Sequence, residues 1–175
     1  MNGKAPLRLF FAVWPEPKLA HRLASWANSA HRTTGGRLTR AESIHLTLAF
    51  LGEVPAPRVE NAISAALRVP ARTCIMQIDE ACFWPHNRIV WAGPRETPAP
   101  LAELAADLKQ QLEVEGFDLD ARSFQAHITL IRKARATRQL PPLPALDWRV
   151  HEFVLVRSMK DREGARYEVL RRFAA

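Results

Sequence analysis

Cysteine is scarce in this chain: Cys74 and Cys82 are the only two in 175 residues. They do not form a CxxC pair. Cys74 falls in an apolar, strand-like run and reads as a reduced, packed thiol. No disulfide is expected in a cytoplasmic chain. Long apolar runs are missing as well. None reaches the roughly 18 residues that a membrane span needs. The opening "MNGKAPLRLFFAVWPEP" has no full hydrophobic region and no cleavage site, and Pro15 and Pro17 follow at once. It reads as a first strand rather than a signal peptide, which points to the cytoplasm. There is no G-x-x-x-x-G-K-[ST] loop for nucleotide-driven chemistry and no G-x-S-x-G elbow for a serine nucleophile. Acidic residues are outnumbered, 18 against 25 Lys and Arg, which leaves a net charge of +7. A surplus of arginine suits phosphate-rich partners, because guanidinium forks match phosphate oxygens.

What the chain does have is a regular order of elements in a length suited to one domain, residues 1–175, built as two lobes around a shared core. "RLFFAVW" is apolar on both faces and reads as a central strand. An amphipathic helix follows, with Leu19, Leu23 and Trp26 on one stripe. A strand is expected over Ile44–Leu51. A second helix carries Val59, Ile63 and Leu67. "CIMQIDEACFW" reads as a strand running into a turn and "RIVWAG" as the next strand. The third helix carries Leu101, Leu104, Leu108 and Leu112, with Gly116 as its stop. "FQAHITLIR" is a strand, "RQLPPLPALD" a connector, and two closing strands flank a "KDREG" turn.

This order repeats. Strand, helix and a histidine-bearing strand occur twice, each time with about 35 residues between first strand and histidine, as a strand–helix–strand unit requires. Two such units predict two lobes about a pseudo-twofold axis, with the histidine strands lining the groove between them.

Those strands share a motif: "HLTL" at 45–48 and "HITL" at 127–130. Alternate strand residues share a face. His45 and Thr47 therefore point one way, with Ile44, Leu46, Leu48 and Phe50 toward a core. His127 and Thr129 likewise stand opposite Ile128 and Leu130. A lone histidine on an apolar strand is usually a hydrogen-bonded structural residue. Two at matched places in a repeat are better read as a general acid–base pair, because imidazole titrates near neutral pH. The threonines suit phosphoryl oxygens, and the whole suits in-line displacement at phosphorus. Arg132 would supply charge, but its parity is wrong on a regular strand, so that role requires a bend or bulge near Ile131. A metal site needs three or four ligands, and neither motif has an acidic or histidine neighbour on its face; no metal and no cofactor are expected. His21, His31, His86 and His151 read as surface or edge residues.

The paired "HLTLAF" and "HITLIR", with "RLFFAV", "HLTLAFLGEV", "RIVWAG" and the closing Ser158, Gly164 and Tyr167 in order, resemble the 2H phosphoesterases. Within them the likeness is strongest to the bacterial RNA 2′,3′-cyclic phosphodiesterases, the 2′-5′ RNA ligase family, and it spans nearly the whole chain. The resemblance implies an α+β, bilobal fold with two antiparallel sheets facing a central cleft and helices outside. It implies metal-independent hydrolysis of a terminal 2′,3′-cyclic phosphate on RNA, or on small cyclic nucleotides, to a 2′-phosphate. His45 would be the proton donor and His127 the proton acceptor, with Thr47, Thr129 and Arg132 on the phosphate. Ala126 stands where many relatives have proline. Among residues whose roles are open between cleft and packing, Phe11 and Trp84 are taken as substrate contacts, with Phe10 and Phe83 as their neighbours. Arg88 is taken as a phosphate or base contact. The rival readings are an ATP-independent 2′-5′ RNA ligase using the same site and a non-catalytic RNA-binding protein. A monomer is favoured.

Overall fold

β1 (Leu7–Val13) is apolar on both faces because both faces are covered. In the computed structural model, which describes residues 5–136, 139–162 and 164–174, it is flanked by two antiparallel partners, β3 (Leu46–Val54) and β9 (Glu152–Asp161). Residues 1–4, Arg138 of the connector and Glu163 of the "KDREG" turn lie outside the described residues. Leu9, Phe11 and Val13 face the main core. Phe10 and Ala12 face the other way and form a small cluster with Val154 and Val156, against which Trp14 and Tyr167 pack. The strand thus separates a structural core from a second apolar floor.

The remaining elements are α1 (Pro17–Thr34), β2 (Arg37–Leu38), α2 (Val59–Leu67), β4 (Cys74–Ile78), β5 (Glu80–Trp84), β6 (Ile89–Gly93), α3 (Ala99–Val114), β7 (Ile128–Arg132), β8 (Leu146–Val150) and β10 (Gly164–Ala174). Two antiparallel halves result. One runs β10–β9–β1–β3. The other runs β7–β6–β5, with β2 also on β7. They meet at a single bridge, Leu46 opposite Ile128. β4 and β8 form a separate ribbon whose Met76, Ile78, Leu146, Trp148 and Val150 are buried. The run "CIMQIDEACFW" is therefore broken at Asp79 and feeds two sheets, where a strand running into a turn was expected: the expected turn region is itself the strand β5. Among the described residues no helix is long and apolar enough to cross a membrane.

The repeat is visible as β1–α1–β3 and β6–α3–β7. Each helix crosses over: α1 packs on β7 and α3 on β3, so each lies against the motif strand of the other unit. The α3 stripe of Leu101, Leu104, Leu108 and Leu112 is buried as expected. In α2 the stripe differs. Leu67 is exposed, and Ala62, Ile63, Ala65 and Ala66 are buried, because small residues let this short helix lie close to its neighbours.

β-Bulges decide which side chains face the groove. Opposite β1, the pairing steps from Ala12↔Thr47 to Phe11↔Ala49, so Leu48 is an extra residue. Parity inverts after it. Ala49 turns inward and Phe50, expected in the core, is 47% exposed, with the Arg8 guanidinium 4.8 Å from its ring centroid. β7 repeats the device: its pairing steps from Trp91↔Thr129 to Val90↔Ile131, so Leu130 is extra. Leu130 and Ile131 are both buried and Arg132 turns outward.

Candidate active site

His45 and His127 sit immediately before β3 and β7, at the bridge between the halves. An antiparallel pair Leu46↔Ile128, continued by one residue each way, sets Thr47 across from His127 and His45 across from Thr129. Each imidazole therefore has a threonine of its own motif beside it and one from the other motif across from it. The pseudo-twofold axis passes through the bridge.

The two rings are held alike. Nδ1 of His45 bonds the Ser43 carbonyl at 2.7 Å, and Nδ1 of His127 bonds the Gln125 carbonyl at 2.8 Å. A carbonyl only accepts, so Nδ1 carries the hydrogen in both. Each Nε2 is left to take or give a proton. Thr129 is steadied through its backbone, since Thr39 Oγ1 donates to its carbonyl at 3.1 Å.

Aromatic rings wall both imidazoles. Trp14 stacks on His45 with centroids 4.9 Å apart and planes 14° from parallel. Phe10 lies at 5.0 Å, and Tyr167 meets His45 edge-on at 5.1 Å. The Trp14 indole N–H donates to the Glu42 carbonyl at 3.3 Å, which ties the ring to the segment just before the motif. On the other side Trp84 lies 4.8 Å from His127 and Trp91 lies 6.4 Å away, edge-on.

Both imidazoles bind protons less readily than a free histidine. His45 is lowered to about 4, first by burial, then by the positive charge of Arg132 and by His127; its bond to Ser43 opposes the shift. His127 is lowered by burial and then by Arg132, opposed by its bond to Gln125. Arg132 thus acts electrostatically on both rings, as a residue at the mouth of their groove must. The Leu130 bulge supplies the parity change that the sequence demanded for this.

The other expected site residues divide. Trp84 lies at His127. Phe11, expected at the cleft, is fully buried, and its ring partners are Phe153 and Phe173. Its neighbour Phe10 has the cleft-facing parity. Arg88 is engaged by the backbone after β7. Its guanidinium donates to the Ala134 and Lys133 carbonyls at 3.1 and 3.3 Å, and with its left-handed φ of 58° it pins the chain after β7. Trp14 and Trp91 had no expected role, and Tyr167 entered only among the residues that carry the family resemblance. The available signal was parity: Phe10, Ala12 and Trp14 alternate with Phe11 and Val13, but an all-apolar strand does not say which set faces the groove. Among the described residues no three His, Cys, Asp or Glu side chains gather as a metal site.

The chain is similar to known proteins over nearly its whole length. A family model described as "LigT like Phosphoesterase" matches twice, over residues 13–91 and 92–167, one copy for each repeat. An RNA 2′,3′-cyclic phosphodiesterase of Escherichia coli is 37% identical over 97% of both chains. One from Thermus thermophilus is 30% identical over 96% of this chain and 90% of that one. A crystal structure of E. coli LigT complexed with 3′-AMP superposes with a TM-score of 0.91 at 35% identity, covering 97% of this chain and 98% of the other.

Proposed function

This chain belongs to the LigT-like phosphoesterase family, and from that footing we propose that it is an RNA 2′,3′-cyclic phosphodiesterase that opens a terminal cyclic phosphate to a 2′-phosphate. The observation that carries the mechanism is the matched pair of imidazoles. Both are locked through Nδ1, both offer Nε2, and they stand at one bridge between two threonines. With the cyclic phosphate between them, His127 Nε2 takes a proton from water as its oxygen attacks phosphorus. The P–O3′ bond breaks in line, and His45 Nε2 gives its proton to the departing 3′ oxygen. Thr47 and Thr129 hydroxyls donate to phosphoryl oxygens, and Arg132 offsets the charge that grows on them. Water ends divided between the 2′-phosphate and the 3′-hydroxyl, and the histidines have exchanged roles by one proton.

An unliganded His45 near pKa 4 is neutral at pH 7. The donor therefore acquires its proton together with the substrate. An anionic phosphodiester placed between the rings opposes the two charge effects that lower His45, and a nearby anion favours the charged imidazole. Residues 1–175 act as one bilobal catalytic domain, working in the cytoplasm without a metal. The test is turnover of a short RNA ending in a 2′,3′-cyclic phosphate, in EDTA, with 2′- and 3′-phosphate products resolved. We expect 2′-phosphate only, and a loss of at least about 100-fold in kcat for His45→Ala and for His127→Ala. A 3′-phosphate product, or full activity in either variant, would refute the bond assignment or the pair.

A further inference from the structure

β2 and β7 pair so that Arg37 stands directly opposite Arg132. Opposed residues of an antiparallel pair share a face, with Cα atoms about 5 Å apart, and like charges there repel. The next pair, Leu38 and Ile131, turns inward: Ile131 is fully buried and Leu38 packs on the core. Both arginines accordingly turn outward and are exposed. Among the described residues neither guanidinium has a carboxylate or carbonyl partner. In this they differ from Arg58, Arg68, Arg72 and Arg172, whose guanidiniums are all hydrogen-bonded.

The repulsion is enforced by the backbone. Thr39 N–H donates to the Leu130 carbonyl at 2.8 Å, which holds the segment against β7. Gly36, with φ of 88°, allows the close approach, since a Cβ there would lie 2.6 Å from the Arg132 carbonyl oxygen. Arg132 already acts on both imidazoles. Arg37 extends the charge outward toward the other half: its Nη1 lies 3.6 Å from where a Cβ on Gly164 would sit, at the start of β10. Nearby, Arg40 crosses the same gap, donating to the Ala165 carbonyl at 3.0 Å.

We propose that Arg37 binds a second phosphate of the substrate, the 5′-phosphate of the terminal nucleotide, while Arg132 serves the cyclic one. This rests on the phosphodiesterase reading of the cleft. Two unpartnered guanidiniums held side by side match two phosphates carried on one ribose. The preferred substrate class is then an RNA end, or any 5′-phosphorylated nucleoside 2′,3′-cyclic phosphate, over a cyclic nucleoside phosphate lacking the 5′ group.

The test uses pairs that differ only in that group. Adenosine 2′-phosphate and adenosine 2′,5′-bisphosphate are compared by calorimetric binding, and the matching 2′,3′-cyclic phosphates by turnover, with wild type, Arg37→Lys and Arg37→Ala. Wild type should prefer the 5′-phosphorylated member by about ten-fold, as charge-assisted bonds to one phosphate imply. The preference should fall to about one in Arg37→Ala and persist in part in Arg37→Lys, which keeps the charge without the fork. An unchanged preference in Arg37→Ala, no preference in wild type, or an equal loss for both members overturns the proposal. If wild type turns over neither cyclic substrate, the phosphodiesterase reading fails, while the binding ratio still decides the role of Arg37.

Discussion

An imidazole that is to donate a proton near neutral pH must first hold one, and much of the surroundings of His45 works against that. Burial, Arg132 and His127 all lower its affinity, to about 4. The Ser43 carbonyl and the stacked face of Trp14 work the other way, since a cation over an aromatic face is stabilised. Two expectations belong at this scale. The bell in kcat/KM, which reports the free enzyme, should be centred on the acid side of 6.5, the ordinary histidine value from which both rings are lowered. The alkaline limb of kcat, which reports the complex, should lie at higher pH, because bound phosphate restores the His45 proton. Coincident limbs in the two profiles would show that substrate does not recharge His45. Trp14→Leu keeps the apolar cover and removes the ring. With about 0.5–2 kcal/mol in such a contact, kcat should drop about 2- to 30-fold, and its alkaline limb should move to lower pH. A fall in kcat with the limb unmoved would make Trp14 a packing residue only. The histidines and threonines were legible in the sequence because polar residues at period two inside an apolar run have few uses other than a groove. Phe10 and Phe11 were not separable, since both faces of β1 are covered, and the error fell on Phe11.

Elements position the site by departures from regularity. Two bulges, at Leu48 and Leu130, sit three residues after His45 and His127. Each lets the chain present a histidine and threonine to the groove and then turn one further residue outward: Phe50 in one half, Arg132 in the other. The sequence announced the second bulge through a parity conflict at Arg132. It did not announce the first, because Phe50 suits a core equally well on paper. The second strand after Asp79 was hidden for a similar reason, as the acidic pair Asp79–Glu80 suits a turn equally well on paper. The α3 stripe was legible because four leucines at helical spacing bury on one face whatever they meet, whereas α2 is too short and alanine-rich for the spacing to fix which face is buried. Gly93, at the end of β6, tests how tightly an element sets the site. A Cβ there would lie 2.7 Å from the Ala126 carbonyl oxygen, next to His127 in sequence. Its backbone needs no glycine conformation, so Gly93→Ala is a steric probe. It should push the 125–127 segment outward, loosen the Gln125–His127 hold and lower kcat by about ten-fold or more, with a smaller change in KM. A crystal structure of the variant with His127 unmoved, or a change in KM alone, would contradict this.

At the scale of the whole molecule the halves are joined by one strand bridge and by two crossing helices, α1 on β7 and α3 on β3. Neither half can bury its motif strand without a helix lying across it from the other unit. Unfolding should therefore be a single cooperative transition, with fluorescence and far-UV circular dichroism melting together. The bridge beside His45 and His127 lies at the centre of that shared structure, so the ionisation of these rings enters global stability. The folded-state pKa of His45, about 4, lies below its ordinary 6.5, so between those values the unfolded chain binds more protons than the folded one. Stability contributed by keeping this ring neutral is fully present above 6.5 and is lost as pH falls toward 4. A shift of that size is at most about 3 kcal/mol. His45→Gln removes the titration and puts a neutral polar amide in place of the imidazole. Urea unfolding from pH 7 to pH 4 should show the wild type losing more stability than the variant, with the difference confined to the interval between the two pKa values. Equal losses would mean that the folded protein protonates His45 as readily as water does. The donor would then be charged before the substrate arrives, and the coupling of proton uptake to phosphate binding would have to be abandoned.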